Sequence, residues 1–309
     1  MKHSIWPLAL IALLLCACSS DDGNAPLTPE GPQLNITFIM DSNAERLGNL
    51  GNPAPLPMGN AGQDPDFEIL GLHFIGLYQD QFTPYDDGVT LFNSPTTDAG
   101  GDTAIDFEQE LFLTPSQNQI SIPLSFVTPG TYEYLRSSIG YQKYGVTYNL
   151  SGAANDPDWP DGVSDDVDVD ATIASFLGFN TFIRNYTLNS QFVVVNANKL
   201  QGYFGLESNG TVAGFNFNEV TEGDAPQTTV PNPIDATSPV PEGSCVVTGQ
   251  FPTALVIPEN PTEDINIQIV ISTNQSFEWV DTNGNGKYEP LLGEQVVDMG
   301  TRGVFPSIQ

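Results

Sequence analysis

The sequence predicts an all-β protein, an antiparallel β-sandwich with a β-barrel as the alternative closure. Three observations point there. Gly (29) and Pro (25) are abundant, which punctuates a chain into short elements. Almost no stretch repeats apolar residues at i, i+3, i+4 and i+7, the mark of an amphipathic helix. In place of helical periods, β-branched and aromatic runs recur, each closed by Asn, Asp, Gly or Pro. Many short strands at this spacing bury their apolar faces by packing sheet on sheet.

The chain begins "MKHSIWPLALIALLLCACSS": a short basic start at Lys2 and His3, then an apolar run from Ile5 to Leu15. This reads as an export signal over residues 1–17. The run is shorter than the ~20 residues that span a bilayer. Leu15, Ala17 and Cys18 resemble the lipobox of bacterial lipoproteins, which implies a diacylated Cys18 as the mature N-terminus. Each buried acyl CH₂ contributes about 0.8 kcal/mol, so two or three chains hold a protein on the outer membrane. Residues 18–33, rich in Gly, Pro and acid, cannot bury a core and read as a tether. Their Ser-Ser-Asp-Asp start resembles the surface-export signals of Gram-negative outer-membrane lipoproteins. That likeness implies a cell-surface location, with the periplasmic face as the alternative.

From residue 34 to 309 the pattern predicts one β-sandwich domain, with two subdomains divided at the Pro-rich crossing 228–244 as the alternative. Candidate strands run Leu34 to Met40, Phe67 to Tyr78, Val89 to Phe92, Asp106 to Leu113, Gln119 to Phe126, Gly130 to Tyr141 and Val146 to Leu150. They continue at Thr181 to Leu188, Phe192 to Val195, Gly202 to Glu207, Val212 to Phe217, Cys245 to Thr253, Ile265 to Ser272 and Ser276 to Val280. In "DINIQIVIS" Ile265, Ile267, Ile269 and Ile271 alternate with Asn266, Gln268, Val270 and Ser272, the period of a half-buried strand. One helix is expected, Thr172 to Leu177, with Asp170 as N-cap and Gly178 as C-cap.

The formal charge is −30, and loss of Lys2 with the signal takes it to −31. Such a surface repels nucleic acid and anionic lipid head groups, so neither is an expected partner. Once Cys18 is lipidated, Cys245 is the one cysteine left, which leaves no internal disulfide in a compartment that would permit one. His73 is the one mature histidine and sits in the apolar "EILGLHFIGLY", where a core or edge-strand role is expected.

The stretch "DTNGNGKYEP" spaces oxygen ligands as no other stretch here does. With Asp281 as position 1, Asn283 falls at 3, Asn285 at 5, Gly286 at 6, Lys287 at 7 and Glu289 at 9. Alternate side chains in a tight loop turn their oxygens toward one centre, Gly permits the bend, and position 7 offers its carbonyl to a hard cation. The stretch resembles the calcium loops of dockerin-like and thrombospondin-repeat-like sites. It departs from the EF-hand at position 12, where Leu292 replaces the bidentate Glu. Further oxygens are expected from Glu294 and Asp298, and the ion from calcium in a structural role. The competing reading is a hairpin turn, since Asn-Gly is the favoured turn pair.

A second acidic stretch, Asn155 to Asp170, matches no ligand template and reads as a solvated loop. With a single histidine, serine and cysteine triads lack a base, and no P-loop or dinucleotide fingerprint occurs. Trp159, Trp279 and the tyrosines of "TYEYLRSSIGYQKYGVTYNL" are candidates for a sugar- or protein-contacting face, against the commoner role of sheet core. "ISIPLSFVTPGTYEYLRSSIG" (residues 120–140) and "QGYFGLES" (residues 201–208) resemble segments of MbnP-like copper-binding lipoproteins, which implies an all-β metal-handling protein. The expectation that emerges is a calcium-stabilised surface lipoprotein that binds a glycan or protein ligand and is not an enzyme. The alternatives are metal handling, and a hydrolase built on paired carboxylates.

Overall fold

The computed structural model describes residues 31–309 apart from 85–86, 179, 213 and 225–244. Cys18, the export signal, the tether up to Glu30 and the Pro-rich crossing lie outside the described residues, among which there is no α-helix. Residues Gly31–Gln309 cluster as one unit. The fold is all-β, with several sheets of which one curls into a half-barrel.

In chain order the strands are β1 (Gln33–Asp41), β2 (Asn60–Gln63), β3 (Asp66–Tyr78), β4 (Val89–Asn93), β5 (Thr96–Thr97), β6 (Ala104–Asp106) and β7 (Leu111–Leu113). They continue as β8 (Gln119–Pro123), β9 (Gly130–Asn149), β10 (Asp168–Phe176), β11 (Asn180–Thr187), β12 (Phe192–Leu200) and β13 (Tyr203–Val212). The last six are β14 (Phe215–Asp224), β15 (Cys245–Ile257), β16 (Ile265–Ser272), β17 (Phe277–Val280), β18 (Val296–Asp298) and β19 (Val304–Ile308).

The largest sheet is organised by β9, twenty residues long. One of its edges pairs with β3 along most of its length. The other edge forks: β15 takes residues 130–139 and β10 takes 141–149, so the two partners part at Gly140. Both faces of the middle of β9 are covered, and residues Leu135 to Gln142 are all buried. The second sheet has the order β19-β16-β1-β8. Leu34, Ile36 and Phe38 of β1, with Ile267, Ile269 and Ile271 of β16, meet Leu70, Leu72, Leu135 and Ile139 in the main core. Each such side chain contributes about 1.5–3 kcal/mol by leaving water. Smaller sheets carry β12-β11-β6-β5 and β18-β17-β2. They close an aromatic cluster around Phe107, Tyr141, Phe176 and Tyr203, and another around Tyr144, Phe277 and Trp279.

Several local expectations differ from the structure, four of them in ways that shape the sheets. Thr172 to Leu177 is not a helix: through Phe176 it belongs to β10, which is hydrogen-bonded on both edges and buried on both faces, so an Ala-containing run with helical propensity serves as a central strand. Asp106 to Leu113 is broken by a 3₁₀ turn at Phe107–Gln109, capped by Asp106 Oδ1 accepting from Glu108 N at 3.3 Å. The segments Gly130 to Tyr141 and Val146 to Leu150 are one strand. Finally, the pairing is not antiparallel throughout: β1 runs parallel to β16, Leu34 opposite Ile265, and β6 runs parallel to β11.

Candidate functional site

The loop from Asp281 to Glu294 leaves β17 and returns through a 3₁₀ turn at Pro290–Leu292 to β18. Its backbone coils because each oxygen-bearing side chain captures an amide ahead of it. Asp281 Oδ1 accepts from Gly284 N at 2.8 Å and Asn285 N at 3.2 Å, and its Oδ2 accepts from Gly286 N at 2.8 Å. Asn283 Oδ1 accepts from Asn285 N at 3.0 Å, and Asn285 Oδ1 from Lys287 N at 2.8 Å. Such Asx turns compete with extended structure and pull a chain into a ring. Gly284 and Gly286 both have φ of +74°, open to glycine without strain.

The other face of the ring holds two buried carboxylates. Glu289 is 3% exposed and Glu294 2% exposed. Glu289 Oε2 accepts from Asn283 Nδ2 at 2.5 Å and Asn285 Nδ2 at 2.9 Å. Glu294 accepts from Thr282 N at 2.9 Å and from Glu289 N at 2.8 Å. Neither carries an ion pair among the described residues. Lys287, the basic residue of the loop, turns outward to Asp166 at 2.5 Å. Its carbonyl, the position-7 oxygen, accepts the Trp279 indole N–H at 3.1 Å. Asp281, Asn283, Asn285, Lys287, Glu289 and Glu294 are therefore brought together. Asp298 is placed elsewhere, paired with Arg302 at 2.8 Å and accepting from Gly300 N at 2.7 Å. No three His, Cys, Asp or Glu side chains among the described residues form a metal-holding group, so any hard cation here would rely on amide and main-chain oxygens as well.

The acidic stretch 155–170 is folded against this loop. Asn149, 1% exposed, donates to Asp166 at 2.9 Å and Asp168 at 2.7 Å, and its own N–H reaches Tyr288 O at 2.7 Å. Asp165 accepts from Gly152 N and Ala154 N, and these amides hold its carboxyl below the usual range. The hydrogen bond from Lys287, then that from Asn149, does the same for Asp166. Burial, and next the Glu294 charge, push the Tyr288 phenol up to about 12.

The aromatic candidates are core. Trp279, a candidate contact residue for which core is the commoner reading, is 1% exposed and packs with Phe277 and Tyr288. Trp159 is half-buried with its indole N–H on Val163 O at 3.2 Å. Tyr132, Tyr141 and Tyr144 are buried, and Tyr148 is half-buried with its hydroxyl 2.6 Å from Ser208 Oγ. His73 is buried in β3 with Nδ1 unpartnered, and burial pushes its pKa down to about 4, so it is neutral.

Three features carried no signal in the sequence. Glu278 is 2% exposed and lies between Arg46 at 2.5 Å and Arg302 at 2.8 Å, with Asn60 on its other oxygen at 2.5 Å. Glu110 lies on a face of the large sheet beside the fork, its carboxyl wedged over Gly71 of β3 and Gly140 of β9, where any Cβ would collide with it, and neither oxygen has a partner. Between β1 and β3 opens a cleft of about 540 Å³, with Phe38, Met40, Phe67 and Leu70 as apolar lining and Asp64, Asp66 and Glu68 beside them. A hollow of about 380 Å³ shares Asp64 and Asp66 and adds Asp170 and Glu207. No helix among the described residues is long and apolar enough to cross a membrane. Comparison of the chain with protein-family models, curated proteins and solved structures finds no match.

Proposed function

We propose that this protein is a lipid-anchored binding module of the outer-membrane surface, held on the membrane by Cys18, in which a calcium ion orders the 281–294 loop. One observation carries the calcium reading: two buried carboxylates, Glu289 and Glu294, are tied into the 281–294 loop by its amide groups, and the loop's lysine turns to Asp166. Buried carboxylates without a counter-charge are costly, and a hard cation ringed by carboxylate, carboxamide and carbonyl oxygens removes that cost. Asn283, Asn285 and the Lys287 carbonyl supply the neutral donors. The weight of binding over catalysis comes from His73, buried, neutral and without a partner on Nδ1, and from the cleft between β1 and β3, an open recess with apolar and acidic walls.

The affinity expected of so neutral a ligand set is ~10⁻⁴–10⁻³ M. At a calcium concentration one hundred times Kd, binding to the folded state alone adds about 2.7 kcal/mol. For a chain of this size that raises Tm by about 4–5 °C. Terbium luminescence excited through Trp279, whose indole lies on the loop, reports occupancy directly. Glu289→Gln abolishes both the terbium signal and the calcium-dependent rise in Tm. Equal melting in chelator and in excess calcium, with no sensitised terbium emission, rejects the calcium reading. Radiolabelled palmitate incorporated by the wild type and not by Cys18→Ser tests the anchor.

A further inference from the structure

The edge of β3 that faces away from β9 is occupied in pieces. β4 pairs with Phe74 to Leu77 and β7 with Leu70 to Leu72. β7 then ends at Leu113, opposite Leu70, and the chain turns away at Thr114–Gln117, where Pro115 has no N–H to continue the ladder. Of the next four residues of β3, Asp66, Phe67 and Ile69 pair with β9 alone among the described residues, and Glu68 bulges out of register between them. That leaves roughly 13 Å of strand edge at 3.3 Å per residue. It forms a wall of the cleft of about 540 Å³, which β1 closes opposite with Phe38 and Met40.

An uncovered strand edge recruits another strand unless charge or shape prevents it. Here the charge is of one sign. Asp64, Asp66 and Glu68 line the cleft, Asp170 and Glu207 the adjoining hollow, and no lysine or arginine lines either. Lys143 reaches Glu68 from behind at 2.8 Å. Asp64 accepts from Gln275 N at 2.6 Å. Asp66 is exposed, and its carboxylate takes part in no side-chain hydrogen bond or ion pair among the described residues. Half-buried Phe67 and Ile69 alternate with exposed Asp66 and Glu68, the period of a strand with two different faces. A second copy of this chain, at a formal −30, is repelled by such an edge.

We propose that the edge of β3 at Asp66–Ile69 receives an extended cationic peptide segment, which takes up the line of β7 and adds a strand to the sheet. Main-chain hydrogen bonds to the edge supply the affinity, basic side chains meet Asp66, and apolar ones rest on Phe67 and Met40. This rests on the binding-module reading and names its ligand, and it does not depend on the calcium loop.

The test uses fluorescein-labelled Lys-Val-Lys-Val-Lys amide in anisotropy titrations against the full chain, in millimolar calcium and in chelator, with Tm recorded in each. Saturable binding that weakens with salt is expected. Methylating both valine amides blocks the ladder and abolishes binding at unchanged charge. Asp66→Lys reverses one exposed charge and weakens binding about tenfold at low salt, while Asp66→Asn weakens it less. Glu-Val-Glu-Val-Glu does not bind. Equal affinity for the methylated peptide, equal affinity in Asp66→Lys, no saturation at millimolar peptide, or capture of a neutral oligosaccharide in place of the peptide each overturns the proposal. Loss of peptide binding with the calcium shift intact refutes the cleft alone, and peptide binding without a calcium shift refutes the loop alone.

Discussion

Glu110→Gln separates the stability of this fold from its pH dependence. Glu110 is 5% exposed, and neither of its carboxyl oxygens has a hydrogen-bond partner. It lies over Gly71 of β3 and Gly140 of β9, beside the fork where β10 and β15 part. Burial pushes its pKa from 4.5 up to about 8. A folded-state pKa above the unfolded one means the folded state favours the protonated acid. The associated stability is complete below pH 4.5 and is lost as pH rises through about 8. At about 1.36 kcal/mol per unit, the loss reaches about 3 kcal/mol by pH 7 and about 5 kcal/mol by pH 9. The glutamine amide keeps the shape of the acid and never ionises. Urea unfolding followed by tryptophan fluorescence, with both proteins compared from pH 5 to 9, should show stabilities within about 1 kcal/mol at pH 5 and the variant ahead by about 5 kcal/mol at pH 9. Parallel stability curves over that range would refute a carboxyl held neutral at the fork.

Arg46→Met leaves Glu278, 2% exposed, with Arg302 and Asn60 alone. A loss of about 3 kcal/mol in urea unfolding is expected, because a buried carboxylate is left under-compensated, and a loss below about 1 kcal/mol would contradict it. Gly249→Ala directs a Cβ into the Val304 carbonyl and Pro306 of β19, where backbone cannot yield, and should cost about 2–3 kcal/mol. Gly59→Ala, with φ of +92° and nothing within 4 Å, meets strain only and should cost about 1 kcal/mol. Thermal melts that reverse this order would show that sheet packing is looser at β15 than the geometry implies.

Strand class was legible because it is a local property. The alternation in "DINIQIVIS" and the β-branched runs of β1, β3 and β11 fix which face of each strand is apolar, whatever lies opposite. The coiling of "DTNGNG" was legible for the same reason: Asx side chains capture amides two to five residues ahead, so their spacing carries the geometry. For Trp279 the sequence leaves core and contact face both open, because a short strand beside a polar loop does not show what covers it; the sheet of β9 and β10 does. The segment 172–177 was misread because Ala174 lies between two partner strands that its own neighbours do not announce.

The sequence by itself determined an all-β chain, its strand faces, its scarcity of histidine, its acidic surface and the Asx turns of 281–287, since each follows from short-range stereochemistry or from counting. Tertiary structure alone decided that β1 lies parallel to β16 more than two hundred residues away, that Glu110 is buried over Gly71 and Gly140, that Arg46 and Arg302 enclose Glu278, and that β3 keeps an open edge in an acidic cleft. Those features arise where distant segments meet, and hydrophobic burial, which drives their meeting, is non-directional and writes no local pattern into the chain.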